Sequence, residues 1–281
     1  MEIDKWCRSL AKIICFLFFC IFAVSIIIPI GWMILSSLKT NREFLTDPWG
    51  LPEVWQWENY VLAFRQGVGK FFFNSVLVTA VSVLLIVIIS AMASYALSRF
   101  EFKWKGAIFI FIIGGMMISP EVNLVSLFKL MKITHLYNTH IGLIIVYCVF
   151  DLAFTVLLMR SYMLSLPKEI EESAFIDGCS IAQVFAKIVL PMCRPVLASA
   201  ALLATMNCWN EYMFAAIFIE SKELRTLPVG LASLQKALST KYPILIAGLT
   251  MSAVVVIIVF LIFQKQFIRG LSQGLSLIHI S

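Results

Sequence analysis

The sequence predicts an all-α polytopic membrane protein with six transmembrane helices, on three observations. Of its 281 residues, 61% are hydrophobic and only 14% charged, with a mean hydropathy of +0.94. Soluble domains carry about a quarter charged residues. Six apolar runs reach the length of about 20 residues that a bilayer crossing needs. They lie at 13–35, 71–97, 107–130, 140–159, 196–219 and 244–263, with polar stretches between them. The length suits one domain.

The first run follows Lys5, Arg8 and Lys12, as in the n-region of a signal peptide. It continues from Ile13 to Leu35 with no A-x-A cleavage site, so it reads as a retained span. A long loop, 36–70, leads to the second run. The basic loop 98–106, with Arg99, Lys103 and Lys105, leads to the third. Gly114, Gly115 and Pro120 weaken the third run as a helix, and Glu121 charges it. Backbone freed at membrane depth must be satisfied by neighbouring helices or a water-lined cavity. A kink inside a bundle is therefore expected there rather than a lipid-facing helix. His135 and His140 flank the short loop before the fourth run and read as surface residues. Met116, Met117, Met131, Met159 and Met163 read as soft packing.

Six spans place both termini on one side. Twelve lysines and arginines fall on the N-terminal side and ten on the other, which does not settle orientation, although the basic 98–106 loop leans towards a cytoplasmic N-terminus. The net charge of +6 implies no nucleic-acid partner. Seven cysteines are scattered without CxxC or zinc spacing and read as small hydrophobes, Cys15, Cys20, Cys148 and Cys208 within apolar runs.

The segment 160–195 breaks the pattern. In "EESAFIDGCSIAQVFAKIVLP" (Glu171–Pro191), carboxylates and a glycine stand between two apolar runs. Ser165 or Leu166 can start a short helix with Pro167 in its first turn and Glu169 and Glu171 near its positive end. Gly178 is a stop able to take positive φ. Ser180 and Gln183 form a capping box for a second helix, whose Ile181, Val184, Phe185 and Ile188 make one apolar face. Pro191 and Pro195 end it. Such a short helix can grip a soluble partner, or it can lie idle at the interface; physical reasoning favours neither.

At these residues the chain resembles the permease subunits of binding-protein-dependent ABC importers. Their EAA signature, E-A-A followed by G and by I-x-L-P, stands here as Glu172-Ser173-Ala174, Asp177-Gly178 and Ile188-Val189-Leu190-Pro191, with Ser173 replacing the first alanine. "SSLKTNREFL", "ENYVLAF", "FFNSVLVT", "YALSRFEFKWKG", "LYNTHIGLII", "WNEYMFA", "LRTLPVGLASLQ" and "FQKQFIRGL" are similar to the maltose-type (MalG-like) carbohydrate permeases, over residues 1–274.

The resemblance implies the type I ABC importer permease fold, a cytoplasmic EAA loop that couples to a separate ATPase, and cytoplasmic termini in a prokaryotic cell membrane. It implies a span with an extracytoplasmic loop (1–70), a transmembrane core (71–263) holding the EAA loop (160–195), and a cytoplasmic tail (264–274). The implied partners are a homologous second permease, an ATPase dimer, an extracytoplasmic sugar-binding protein and membrane lipid. No cofactor is expected on this chain. It has no G-x-x-x-x-G-K-[ST], so ATP and Mg belong to the partner, and no H-E-x-x-H or G-x-S-x-G points to an enzyme.

Glu121, Asp151 and Glu211 each cost a few kcal/mol at the bilayer centre if lipid-exposed. Asn207, Trp209, Asn210, Glu211 and Tyr212 offer the planar polar and aromatic groups that hold sugars, so with Glu121 they are candidates for the translocation path. Helix–helix hydrogen bonding or a gate is the competing reading. Asp151 stands where an apolar residue is expected and has no assigned role. A secondary carrier, or an ABC permease for another solute, is the alternative function. A carrier would usually show two related halves, and none is evident. The tail "LSLIHIS" (Leu275–Ser281) resembles a translated sequencing-adapter end and is read as non-native.

Overall fold

A computed structural model describes residues 2–237 and 241–278, with side chains described for 12–235 and 241–264. The side chains of the 275–281 tail lie outside this set, and residues 279–281 are outside it altogether. Among the described residues the chain is helical and has no strand. Four helical stretches are long and apolar enough to cross a membrane: Lys12–Ser37, Glu58–Arg99, His140–Leu164 and Tyr242–Gln264. The pair Ile181–Met192 and Arg194–Asn210, bent by 76°, makes a fifth if counted as one span.

The chain divides into two compact units, Met1–Gly69 with Leu231–Ser252, and Lys70–Gly230 with Ala253–Ser281. In the first, helix α1 (Glu2–Ser37) carries the first run, and its apolar side chains are exposed along the span. A helix hydrophobic all round suits lipid. The loop beyond it is folded rather than irregular. Thr40 and Glu43 form a capping box at the start of α2 (Asn41–Thr46), and the Thr40 N–H holds the Glu43 carboxyl below the usual carboxylate range. Lys39, buried, donates from Nζ to the Asp47 carbonyl at 2.7 Å. Asn59, in α3 (Glu58–Ala63), donates to the Ser37 and Lys39 carbonyls at 2.8 and 2.9 Å. The "SSLKT" and "ENY" motifs are thus two halves of one turn lock.

In the second unit, α4 (Gly69–Arg99) carries the second run, while the third run is not one helix. Helix α5 (Lys105–Gly114) and a 3₁₀ turn (Gly115–Met117) are separated from α6 (Leu124–Ile133) by turns at 118–123. The two glycines and Pro120 end the helix as their propensities dictate. The kink expected inside a bundle is instead a break, and α5 has no buried residue. Met116 and Met117 are exposed, whereas Met131, Met159 and Met163 lie in the core. Helix α7 (His140–Leu164) is the best buried of the spans, at 44% of its apolar window.

His140 is not a free surface residue: a ring nitrogen lies 2.9 Å from the Leu224 carbonyl. Asn74 donates to the Glu223 and Arg225 carbonyls, and the Asn138 side chain accepts from the Glu220 and Ser221 N–H groups. Asn138 sits at φ 56°, a left-handed conformation that Asn tolerates. The asparagines of "FFNSVLVT" and "LYNTH" therefore pin the 219–227 loop.

Candidate functional site

Two places gather the residues singled out above, and both lie in the second unit. The first is the acidic loop. Its short helix, α8, spans Glu169–Ile176, with Pro167 just before it rather than in its first turn. Gly178, at φ 83°, ends it. The Gly178 N–H reaches the Phe175 carbonyl and the Cys179 N–H the Ala174 carbonyl, both at 3.0 Å, which is a Schellman stop. The Ser180–Gln183 capping box is present and opens α9 (Ile181–Val184). The helix then widens into a π turn (Phe185–Val189) before α10 (Leu190–Met192). The extra residue of a π turn moves the buried stripe from Val184 to Val189, so the expected i, i+3, i+4, i+7 face slips, and Ile181 is exposed. Pro191 sits inside α10, and Pro195 in the first turn of α11 (Arg194–Asn210). The 76° bend falls at Cys193.

Adjacent glutamates on α8 have opposite surroundings. Glu172, Ser173, Asp177 and Gly178 are exposed, as is Pro191, while Ile188 and Leu190 are half-buried. Ala174 lies inward, in a core cluster with Tyr95, Met159, Met163, Val184, Val189 and Cys193. Glu171 is also buried, at 5% exposure. Its carboxylate accepts from Arg99 Nε at 2.7 Å and from the Tyr95 hydroxyl at 3.3 Å. Arg99 Nη2 also reaches the Leu166 carbonyl at 3.3 Å. Sequence reasoning missed Glu171, Arg99 and Tyr95 as a unit. The available signal was the i, i+3 pairing of Glu171 with Ala174, a helix face that puts a carboxylate beside an apolar residue.

The second place is the polar end of the fifth run. That run is split, with α11 ending at Asn210 and α12 spanning Met213–Phe218. Glu211 makes the break. Its carboxylate accepts from the N–H groups of Phe214 (2.6 Å) and Ala215 (3.1 Å), capping α12, and from the Tyr147 hydroxyl of α7 (2.7 Å). One turn away, Asp151 of α7 accepts from the Asn207 amide at 2.7 Å and the Cys208 thiol at 3.6 Å. Helices α7 and α11 thus meet at two polar rungs, Tyr147–Glu211 and Asp151–Asn207, and Asp151 acquires a partner that sequence did not supply. Trp209 is buried edge-on to Phe72, with its indole N–H unpaired. Asn207, Asn210 and Tyr212 are exposed. Glu121 does not join this group. It lies in the turn before α6, hydrogen-bonded to the Ser119 hydroxyl. No group of three or more candidate metal ligands occurs among the described residues.

The family described as "Binding-protein-dependent transport system inner membrane component" matches residues 86–273. A probable ABC transporter permease, YurM of Bacillus subtilis, is 44% identical over 270 residues, 96% of this chain and 89% of the relative. The arabinooligosaccharide transport permease AraQ of the same species is 35% identical over 271 residues, 95% of this chain and 96% of the relative. The diacetylchitobiose uptake permease NgcG of Streptomyces coelicolor is 32% identical over 257 residues, 90% of this chain and 85% of the relative. A crystal structure of a bacterial ABC transporter that imports alginate superposes with TM-score 0.80 at 24% identity, over 92% of this chain and 97% of that one, a likeness of fold. This chain is an integral membrane protein belonging to the family of binding-protein-dependent transport system inner membrane components.

Proposed function

We propose that the chain is the permease subunit of an ATP-driven importer that carries a carbohydrate across the cytoplasmic membrane of a prokaryote. The observation that carries this reading is the build of the acidic loop. A short helix is held to the core by its inner face, is closed by a Schellman stop, and presents Glu172, Ser173, Phe175 and Ile176 outward. An exposed face that mixes carboxylate and apolar groups on a braced helix suits docking to a soluble chain. That chain is the ATPase, which holds ATP and Mg, and Glu172, Ser173, Ala174, Asp177, Gly178, Ile188, Leu190 and Pro191 form the coupling element. The loop and both termini then lie on the cytoplasmic side.

Relatives named for oligosaccharide transport support the sugar. A second, homologous permease completes the path, and an extracytoplasmic binding protein delivers the cargo. Asn207, exposed although it forms one rung with Asp151, and the exposed Asn210 are the residues we assign to meet it, while Glu211 caps the helix break. The test is uptake into proteoliposomes. With its ATPase, partner permease and binding protein, this chain supports ATP-dependent uptake of a neutral oligosaccharide such as arabinotriose or raffinose. Uptake by this chain alone would overturn the reading in favour of a self-sufficient carrier. Transport by the full complex of a non-sugar solute only would overturn the choice of cargo.

A further inference from the structure

We propose that the Arg99–Glu171 pair, steadied by Tyr95, is a positioning joint that fixes the short helix α8 against the end of α4 and sets the angle at which its outer face is presented. This rests on the coupling role proposed for the loop.

Both partners are almost fully enclosed, with side chains 7% exposed, and they meet across 72 residues of sequence at 2.7 Å. Each suits its place. Arg99 is the last residue of α4, where the helix dipole favours a cation, and Glu171 is in the first turn of α8, where it favours an anion. Arg99 grips twice, taking Glu171 through Nε and the Leu166 carbonyl through Nη2. It therefore holds α8 and the turn that leads into it. The hydroxyl of Tyr95, one turn back on α4, donates to the second carboxylate oxygen, and its ring packs on Phe185 of the π turn at 5.0 Å between centroids. The joint thus touches α4, α8 and the segment after Gly178 together.

A buried ion pair is a weak source of stability, because desolvation offsets its attraction, but it is demanding in geometry. Removing one partner leaves an uncompensated buried charge, whereas removing both need not destabilise. The neighbouring glutamate makes the contrast plain. Glu172 points outward and is free to meet a partner, while Glu171 is committed inward. The pair does the holding, and Glu172 belongs to the surface that is held.

The experiment measures the position of α8 directly. In the full chain cleared of native cysteines, spin labels at Ile176→Cys and Lys103→Cys, both exposed positions, report the distance between the outer end of α8 and the loop after α4. The wild-type background gives a narrow distribution. Glu171→Gln and Arg99→Met broaden it, and in chains that keep Ile176 and carry no label the amount of ATPase co-purified per chain falls about tenfold, within the range that coupling free energies usually give. Should either single variant fail to insert, the double variant Arg99→Met/Glu171→Met, which has no lone buried charge, inserts and shows the same broadening. A distribution as narrow as wild type in Glu171→Gln, or in the inserted double variant, overturns the joint. Broadening in a system where even the unmutated chain retains no ATPase supports the joint and removes the coupling reading instead.

Discussion

Glu211 looks, in sequence, like a charge exposed to substrate within an apolar run. In the structure its two oxygens receive three donors, two of them the free N–H groups at the start of α12. Its first task is to satisfy backbone that a helix break frees where water is scarce. Glu211→Ala removes this cap and is expected to cost about 1–2 kcal/mol, the upper range for lost N-caps. Glu211→Gln keeps an acceptor oxygen and loses less. Thermal denaturation of the purified chain in detergent measures both, and an unshifted midpoint in Glu211→Ala contradicts the capping role. Sequence marked Glu211 and Asp151 as groups that must find partners, because apolar runs do not tolerate lone carboxylates. It did not name Tyr147 and Asn207 as those partners, because the register between α7 and α11 is set by packing between distant helices.

At the scale of elements, the strongest local signals were the most legible. The capping box at Ser180 and the glycine stop at Gly178 depend on residues within one turn, and both are present. A Cβ at Gly178 meets nothing within 4 Å, so only its backbone conformation opposes substitution. Gly178→Val is therefore strained by about 1 kcal/mol or more, and Gly178→Asn by less, since Asn visits the left-handed region more readily. Limited proteolysis of the detergent-solubilised chain should cleave within 165–193 faster in Gly178→Val than in Gly178→Asn or wild type. Equal rates in all three contradict the strained stop. The π turn at 185–189 and the break at 115–123 were less legible. A π turn leaves no composition signature and shifts the buried stripe by one residue, and the glycines and proline gave notice of a weakness without saying whether the chain would kink or part.

For the whole molecule, composition was enough for the class and for the apolar runs, while charge asymmetry was too slight for orientation. The proposed orientation follows from the loop. It predicts that a membrane-impermeant thiol reagent labels Lys103→Cys and Ile176→Cys in inverted vesicles and not in intact spheroplasts, with Trp55→Cys showing the reverse. All three positions are exposed in this chain, and membranes stripped of the ATPase leave Ile176 uncovered, so failure to label from the expected side contradicts the orientation and not merely the access. Motifs shared with permeases differ in what they do. "SSLKT", "ENY", "FFNS" and "LYNTH" supply asparagines, a lysine and a histidine that close loops, whereas the acidic loop presents an outward face braced from within.

In the coupling role proposed for the loop, this braced face is where a separate ATPase grips the chain. Glu172→Lys tests it most directly, since Glu172 is exposed, takes no part in the core, and has its charge reversed without a change in fold. The measurement is the ATPase co-purified with each variant from membranes holding equal amounts of this chain, read beside oligosaccharide uptake. Insertion is expected at the wild-type level, with a marked loss of retained ATPase and loss of uptake. Wild-type retention and wild-type uptake in Glu172→Lys would contradict it.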